Sequence, residues 1–182
     1  MVHSLGVHFD PTLTMESQVA SVVRTAHLYL WRIAQLPSYL DVGALTTLVH
    51  ALVVSRINYC NALYVGLPLG LMQKLQMIQN MVARLLTGVK RFHHISPTLA
   101  TLHWPPIHFR IDFKVLTITY KALNSLGPRY LAERLLLPSS TCITHSSQAG
   151  RLKGLMPREA WWEKTRNRAF LAVASRLWNN SC

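Results

Sequence analysis

The side chains in this sequence that could do chemistry fall into three groups: basic residues alternating with aromatic rings, a cluster of histidines, and a few scattered carboxylates. The first group comprises Lys90-Arg91-Phe92-His93-His94, His103-Trp104 and Arg110-Ile111-Asp112-Phe113-Lys114. Cations in such a pattern can neutralise phosphates while exposed rings stack on bases, each stack contributing about 1–3 kcal/mol. A plainer reading takes Trp104, Phe109 and Phe113 as core residues, because large rings are mostly buried. The histidines His93, His94, His103 and His108 match no zinc template, have no cysteine nearby and are separated by prolines, so no metal is expected.

The carboxylates argue against catalysis. Two-metal phosphoryl transfer needs clustered acids, and acid–base chemistry needs pairs whose environments push their pKa values apart. Asp10, Asp41 and Asp112 stand singly, and the other four acids are glutamates in helical or terminal settings. No Gly-x-Ser-x-Gly elbow is present, and Gly66-x-x-x-Gly70 lacks the Gly-Lys-Ser/Thr of a phosphate loop. The expectation is a non-enzyme with no catalytic residue and no cofactor.

The charge balance points to a polyanionic partner. There are 19 Lys plus Arg against 7 Asp plus Glu, a formal net charge of +12 and a pI near 10.3. Such an excess favours RNA or DNA through counterion release. With 182 residues, half of them hydrophobic, one domain can bury roughly 70% of its extended-chain surface. Cys60, Cys142 and Cys182 form no Cys-x-x-Cys spacing and suggest no disulfide framework. Together with an opening unlike a secretory signal and no apolar run long enough to span a bilayer, they imply an intracellular protein of nucleus or cytoplasm.

The elements that must position these groups are mostly helical. Leu5 to Phe9 form a short apolar run before the turn signal Asp10-Pro11, which reads as a strand. Thr14 is placed to cap a helix over 16–36, with Val19, Val22, Val23, Ala26, Leu30 and Ile33 at helical spacing. Asp41 opens a second helix whose apolar face takes in Leu45, Leu48, Val49, Leu52, Ile57, Tyr59 and Leu63, ending at Gly66 and Pro68. A third, over 70–87, carries Leu71, Leu75, Ile78, Val82 and Leu85 on one stripe, with Gly88 as its C-terminal cap. The short connection makes these two helices antiparallel neighbours.

Residues 92–106 read as irregular, with a brief helix begun by Pro97. A helix over 108–126 would present Phe109, Phe113, Leu116, Tyr120 and Leu123 as its apolar face, and a short one over 130–136 would follow Pro128. Residues 165–179 pattern as a basic amphipathic helix, docked on the core by Phe170 and Trp178 in preference to lying free on a membrane surface. The fold class expected is mainly α, an irregular helical bundle with a short N-terminal β element. Its organisation is a helical domain over 1–137, a linker over 138–154 rich in Ser, Thr and Gly, and a basic C-terminal segment over 155–182.

Several ordered blocks add a resemblance. Leu5-Gly6-Val7-His8-Phe9-Asp10 with Leu13-Thr14 is followed by the segment 55–88. Next come His94-Ile95-Ser96-Pro97-Thr98-Leu99, Leu102-His103-Trp104-Pro105-Pro106-Ile107, Arg110-Ile111-Asp112-Phe113-Lys114 and Tyr120-Lys121-Ala122-Leu123-Asn124. Pro128-x-Tyr130-Leu131, Asn167-Arg168-Ala169-Phe170 and Leu177-Trp178-Asn179 complete the series. It resembles the region downstream of the polymerase core in LINE-type, non-LTR retrotransposon reverse transcriptases of the jockey and chicken-repeat kind. The resemblance implies a thumb and connector that hold template and primer, with the aspartate-bearing catalytic motif placed before Met1. Residues 144–150 and Ala160-Trp161-Trp162 depart from the family pattern.

The reading that follows is a catalytically incomplete reverse-transcriptase fragment that binds RNA or DNA non-specifically through Lys74, Arg84, Lys90, Arg91, Arg110 and Lys114. The alternative is a protein-interaction module that self-associates through exposed apolar surface, or the product of a decayed element.

Overall fold

Leu5 and Gly6 both adopt positive φ, 49° and 76°, the two-residue turn whose twist matches that of paired strands. In the computed structural model, which describes residues 2–36, 39–135, 152 and 168–181, this turn joins β1 (Val2–Ser4) to β2 (Val7–Phe9). The strands are antiparallel, with Val2 opposite Phe9, His3 opposite His8 and Ser4 opposite Val7. Glycine takes such a φ freely, while a leucine there costs roughly 1–2 kcal/mol. Tyr59 helps to hold it, its hydroxyl donating to the Leu5 carbonyl at 2.6 Å. The expected strand is thus one arm of a hairpin, and of its apolar run Val7 is buried while Leu5 is 85% exposed.

The rest of the described chain is helical, a mainly α fold with this one small sheet. It divides into two compact units, Met1–Arg110 and Ile111–Cys182. In the first unit, α1 (Glu16–Ile33) is preceded by Met15 at φ 61° with no side-chain cap. Thr14 is not the cap that its position suggests. Its amide and hydroxyl both donate to Asp10, which also receives the Met15 amide at 3.0 Å and the Thr12 hydroxyl at 2.8 Å. A charged acceptor with room for four donors outcompetes a hydroxyl cap. Burial raises the Asp10 pKa, but these bonds outweigh it and hold the carboxyl well below the usual carboxylate range. Helix α1 buries Val19, Val22, Ala26, Leu30 and Ile33, and its buried Gln18 accepts the His8 amide at 2.9 Å, tying the hairpin to the helix.

Asp41 caps the next helix as expected, accepting from the amides of Gly43 and Ala44 at 3.1 and 3.3 Å. From α2 (Val42–Val49) the chain passes into a π-helical turn over His50–Val54 and then α3 (Ser55–Asn58). The wider turn inserts an extra residue into the helical repeat. Val53 and Val54 are therefore both buried, between Val49 and Ile57. That shift corrects the expected face, since Tyr59 and Leu63 are 50% and 39% exposed and Tyr64 is enclosed instead. The helix also stops earlier than Gly66, because Cys60 turns to φ 51° before a short 3-10 turn, Asn61–Tyr64.

Helix α4 (Leu69–Thr87) follows its sequence pattern. Leu71, Leu75, Ile78 and Val82 are buried, Leu85 is half-buried, and Gly88 closes the helix at φ 67° with its amide on the Arg84 carbonyl. Each fully buried aliphatic side chain contributes about 1.5–3 kcal/mol. Helix α4 packs chiefly on α1 and also meets α2 and α5 (Ser96–Thr101), which has Pro97 in its first turn.

Helix α6 (Ile107–Leu123) supplies the end of the first unit and the start of the second. It departs most from expectation. The side chains that are buried are Ile107, Ile111, Val115, Thr119 and Ala122, whereas Phe109, Phe113 and Tyr120 are 56%, 72% and 53% exposed. Two stripes of helical spacing compete here, and the branched one is inside. In the second unit, α7 (Arg129–Leu135) meets α8 (Phe170–Ser181). The terminal helix buries Val173 and Ala174 completely, with Phe170 and Trp178 half-buried. Asn179 clamps Leu152, accepting its amide at 2.9 Å and donating to its carbonyl at 2.8 Å. Apart from Leu152, the linker expected over 138–154 lies outside the described residues, as do 155–167.

Candidate nucleic-acid interface

The clearest cationic feature of the first unit is the turn that follows α4. Gly88 ends the helix, and the chain then turns at 90–93, with the His93 amide on the Lys90 carbonyl at 3.1 Å. Arg84, in the last turn of α4, reaches forward and donates to the His93 carbonyl at 3.2 Å. The turn is thereby tied to the helix that carries it. Lys90, Arg91, His93 and His94 are all exposed, and Phe92, at 93%, projects almost wholly into solvent. Free rings beside free cations are the two ingredients of sequence-tolerant single-strand binding.

The six basic residues singled out from the sequence do not behave alike. Lys74, Lys90, Arg91 and Lys114 are exposed, while Arg84 and Arg110 are half-buried. Arg84 serves its own turn, with its Nε enclosed. Arg110 lies over the Trp104 ring, 5.6 Å from the centroid, and its Nε donates to the Pro105 carbonyl at 3.1 Å. Burial pulls the Arg110 pKa down, although an arginine remains charged at neutral pH. The turn brings together Arg84, Lys90 and Arg91. Lys74 sits ten residues before Arg84, about 15 Å away along the helix axis, and Lys114 belongs to the second unit.

Trp104 is not a free stacking surface. Arg110 covers it, and His50 from the π-helical turn meets it edge-on, with centroids 5.5 Å apart. What fixes this corner was not legible as a motif: two glutamines on α4. Gln79, 3% exposed, donates to the Pro105 carbonyl at 2.9 Å, and Gln76 accepts the Ile107 amide at 2.9 Å. Pro105 and Pro106 have no amide hydrogens to give, so a side chain from another helix holds the start of α6. A signal existed in Gln79, which falls on the buried side of α4 beside Leu75 and Val82, where a polar amide is costly unless it finds a use.

Two further features bound the chemistry. Among the described residues, no group of three His, Cys, Asp or Glu could hold a metal ion, and His93, His94, His103 and His108 do not converge as one. Among them, too, the one salt bridge is Arg129 with Glu133, so Lys74, Lys90, Arg91 and Lys114 face no carboxylate of the described residues at ion-pair distance. No described helix is long and apolar enough to cross a membrane.

Comparison of the chain with protein families, with curated proteins and with solved structures finds no match in any of the three.

Proposed function

We propose that this chain is a catalytically incomplete fragment of a LINE-type retrotransposon reverse transcriptase that binds RNA or DNA without sequence preference. The observation that carries the binding part is the exposed turn Lys90-Arg91-Phe92-His93-His94, tied to α4 by Arg84. Among the described residues its cations have no carboxylate at ion-pair distance, and its ring is 93% exposed. The ancestry rests on the ordered sequence blocks from Leu5 to Asn179, and the non-catalytic part on three aspartates that stand singly. Binding of this kind is dominated by phosphate neutralisation and falls steeply with salt. An electrophoretic shift with single-stranded RNA at several salt concentrations tests it. Binding at micromolar protein that weakens with salt supports the proposal, and the absence of salt-sensitive binding overturns it.

One observation favours the alternative of an interaction module. An apolar groove of about 430 Å³ between α1 and α4 is lined by Leu30, Trp31, Ala34, Met81 and Leu85, with His27 and Arg84 at its edges. Trp31 is 64% exposed there and neighbouring Leu28 46%. Contiguous apolar surface of this kind recruits partners or a second copy. A monomeric, monodisperse sample in size exclusion across a hundredfold concentration range would remove self-association through that groove.

A further inference from the structure

We infer that the second unit carries its own stacking site for single-stranded nucleic acid on α6, formed by Phe113 and Tyr120 with Lys114 and Lys121 beside them. This rests on the nucleic-acid reading above and adds a surface separate from the 90–94 turn. Helix α6 turns its branched and small residues inward, with Ile111, Val115, Thr119 and Ala122 each at most 1% exposed. The opposite side is then left to Phe113 and Tyr120, seven residues apart and within about 20° of one another around the axis, and about 10 Å apart along it. At the 3.4 Å rise of a stacked strand, that distance spans about three nucleotides. The Thr117 hydroxyl, between the rings, is spent on the Phe113 carbonyl at 2.7 Å, so it does not compete for bases.

The occupant follows from charge. Lys114 and Lys121 are exposed and lie on the same flank of the two rings, a row of cations parallel to a row of rings. Asp112 lies on the opposite flank, so the acid does not interrupt the cationic row. Residues 111–182 hold eleven Lys plus Arg against four Asp plus Glu. A neutral apolar partner would bury two lysines at a cost, whereas a single strand can place bases on the rings and phosphates on the ammonium groups. A duplex keeps its bases stacked inside and offers the rings no faces, so the site discriminates single strands from duplex.

The test uses the full chain and a fluorescein-labelled 20-nucleotide oligouridylate, read by fluorescence anisotropy, with a duplex of the same length in parallel. The double variant F113A/Y120A, at two exposed positions, keeps the wild-type circular dichroism and loses about thirtyfold or more in single-strand affinity, with little change for the duplex. The double variant K114A/K121A lowers the slope of log affinity against log salt by about 1.4, the value for two single-strand phosphate contacts. Ultraviolet crosslinking to the oligouridylate, mapped by mass spectrometry, places adducts on the peptide containing Phe113 or Tyr120. If the wild type binds while F113A/Y120A binds equally and crosslinks map elsewhere, the α6 site is overturned and the broader reading survives. If the wild type binds no RNA, both fall. Loss of self-association rather than RNA binding in F113A/Y120A would assign the stripe to protein contact and overturn the inference.

Discussion

Helices α4 and α6 are nearly equal in length, 19 and 17 residues, and both are periodic in sequence, yet one buries the stripe its pattern suggests and the other the opposite stripe. Helix α4 has one continuous apolar stripe, from Leu71 through Leu75, Ile78 and Val82, with Leu69 and Met77 left exposed away from it, so a single orientation removes most of its hydrocarbon from water. Helix α6 has two. Rotating it to bury Phe109, Phe113 and Tyr120 would expose Ile107, Ile111 and Val115 instead. Periodicity measures that a helix is amphipathic, and it gives the buried face only when the rest of the circumference is polar. Where two apolar stripes compete, compact branched side chains suit a closely packed interior and leave bulky rings for the surface.

The sharpest way to break that comparison is to truncate one residue from each stripe of α6. Ile111→Ala costs about 2–4 kcal/mol, comparable to Leu75→Ala in α4, while Phe113→Ala stays within about 0.5 kcal/mol. Urea unfolding followed by circular dichroism measures all three. A larger loss for Phe113→Ala than for Ile111→Ala would return α6 to the orientation its aromatic spacing suggested.

The two helices also begin differently. Helix α4 starts from Pro68, which needs no partner for an amide hydrogen it does not have. Helix α6 depends on a side chain of α4, the Gln76 carbonyl group that accepts the Ile107 amide. Gln76→Leu leaves that amide unpaired and costs about 1–3 kcal/mol. Hydrogen exchange at Ile107 should accelerate in the variant while exchange at Ile78 follows only the global loss. Unchanged protection at Ile107 would mean that α6 holds its own first turn.

Local chemistry was the legible part of this molecule. Asp41 opens and Gly88 closes its helix as their residue types dictate, Pro97 stands in the first turn of a short one, and the helices expected over 16–36 and 70–87 are found at Glu16–Ile33 and Leu69–Thr87. Three features escaped because they are decided at a distance or by one extra residue. The π-helical turn at His50–Val54 shifts the inward face by a single position, which no 3.6-residue template contains. Gln76 and Gln79 act on residues about thirty positions ahead. The basic residues were legible as charges, but which were free was not: Arg110 faces Trp104 and Arg84 its own turn, whereas Lys90 and Arg91 are exposed.

A start held within its own loop offers a pH handle that the start of α6 lacks. Asp10 gathers Thr12, Thr14 and Met15 before α1, and its depressed pKa means that the ionised form is favoured in the folded state. The sign is fixed by linkage: the stability is fully present above the ordinary carboxylate pKa near 4 and is lost as pH falls below it. Asp10→Asn therefore costs about 1–2 kcal/mol at pH 7, a partial value because the group is only half-buried. The gap to wild type narrows as the pH is lowered below about 4. Thermal melts at pH 7, 5 and 3 follow it, and a gap that does not change with pH would take the charge out of the argument.

The smallest effects separate the two ends of α4 itself. Gly88 sits at φ 67° with open space where a Cβ would be, so Gly88→Ala meets no clash and pays only for the left-handed backbone, about 1 kcal/mol. Gly70, in the first turn of the same helix, also has open space around a Cβ but lies within right-handed helical backbone. There the same substitution gains a few tenths of a kcal/mol, about 0.5 at most, by lowering the entropy of the unfolded chain. The opposite signs follow from backbone conformation alone, since neither position has a neighbour to crowd. Melting temperatures that move apart in the two variants would show that α4 sets its end from its own residues. A Gly88→Ala protein as stable as wild type would place that end under the control of the Arg84-bound turn instead, making α4 as dependent on remote contacts as α6.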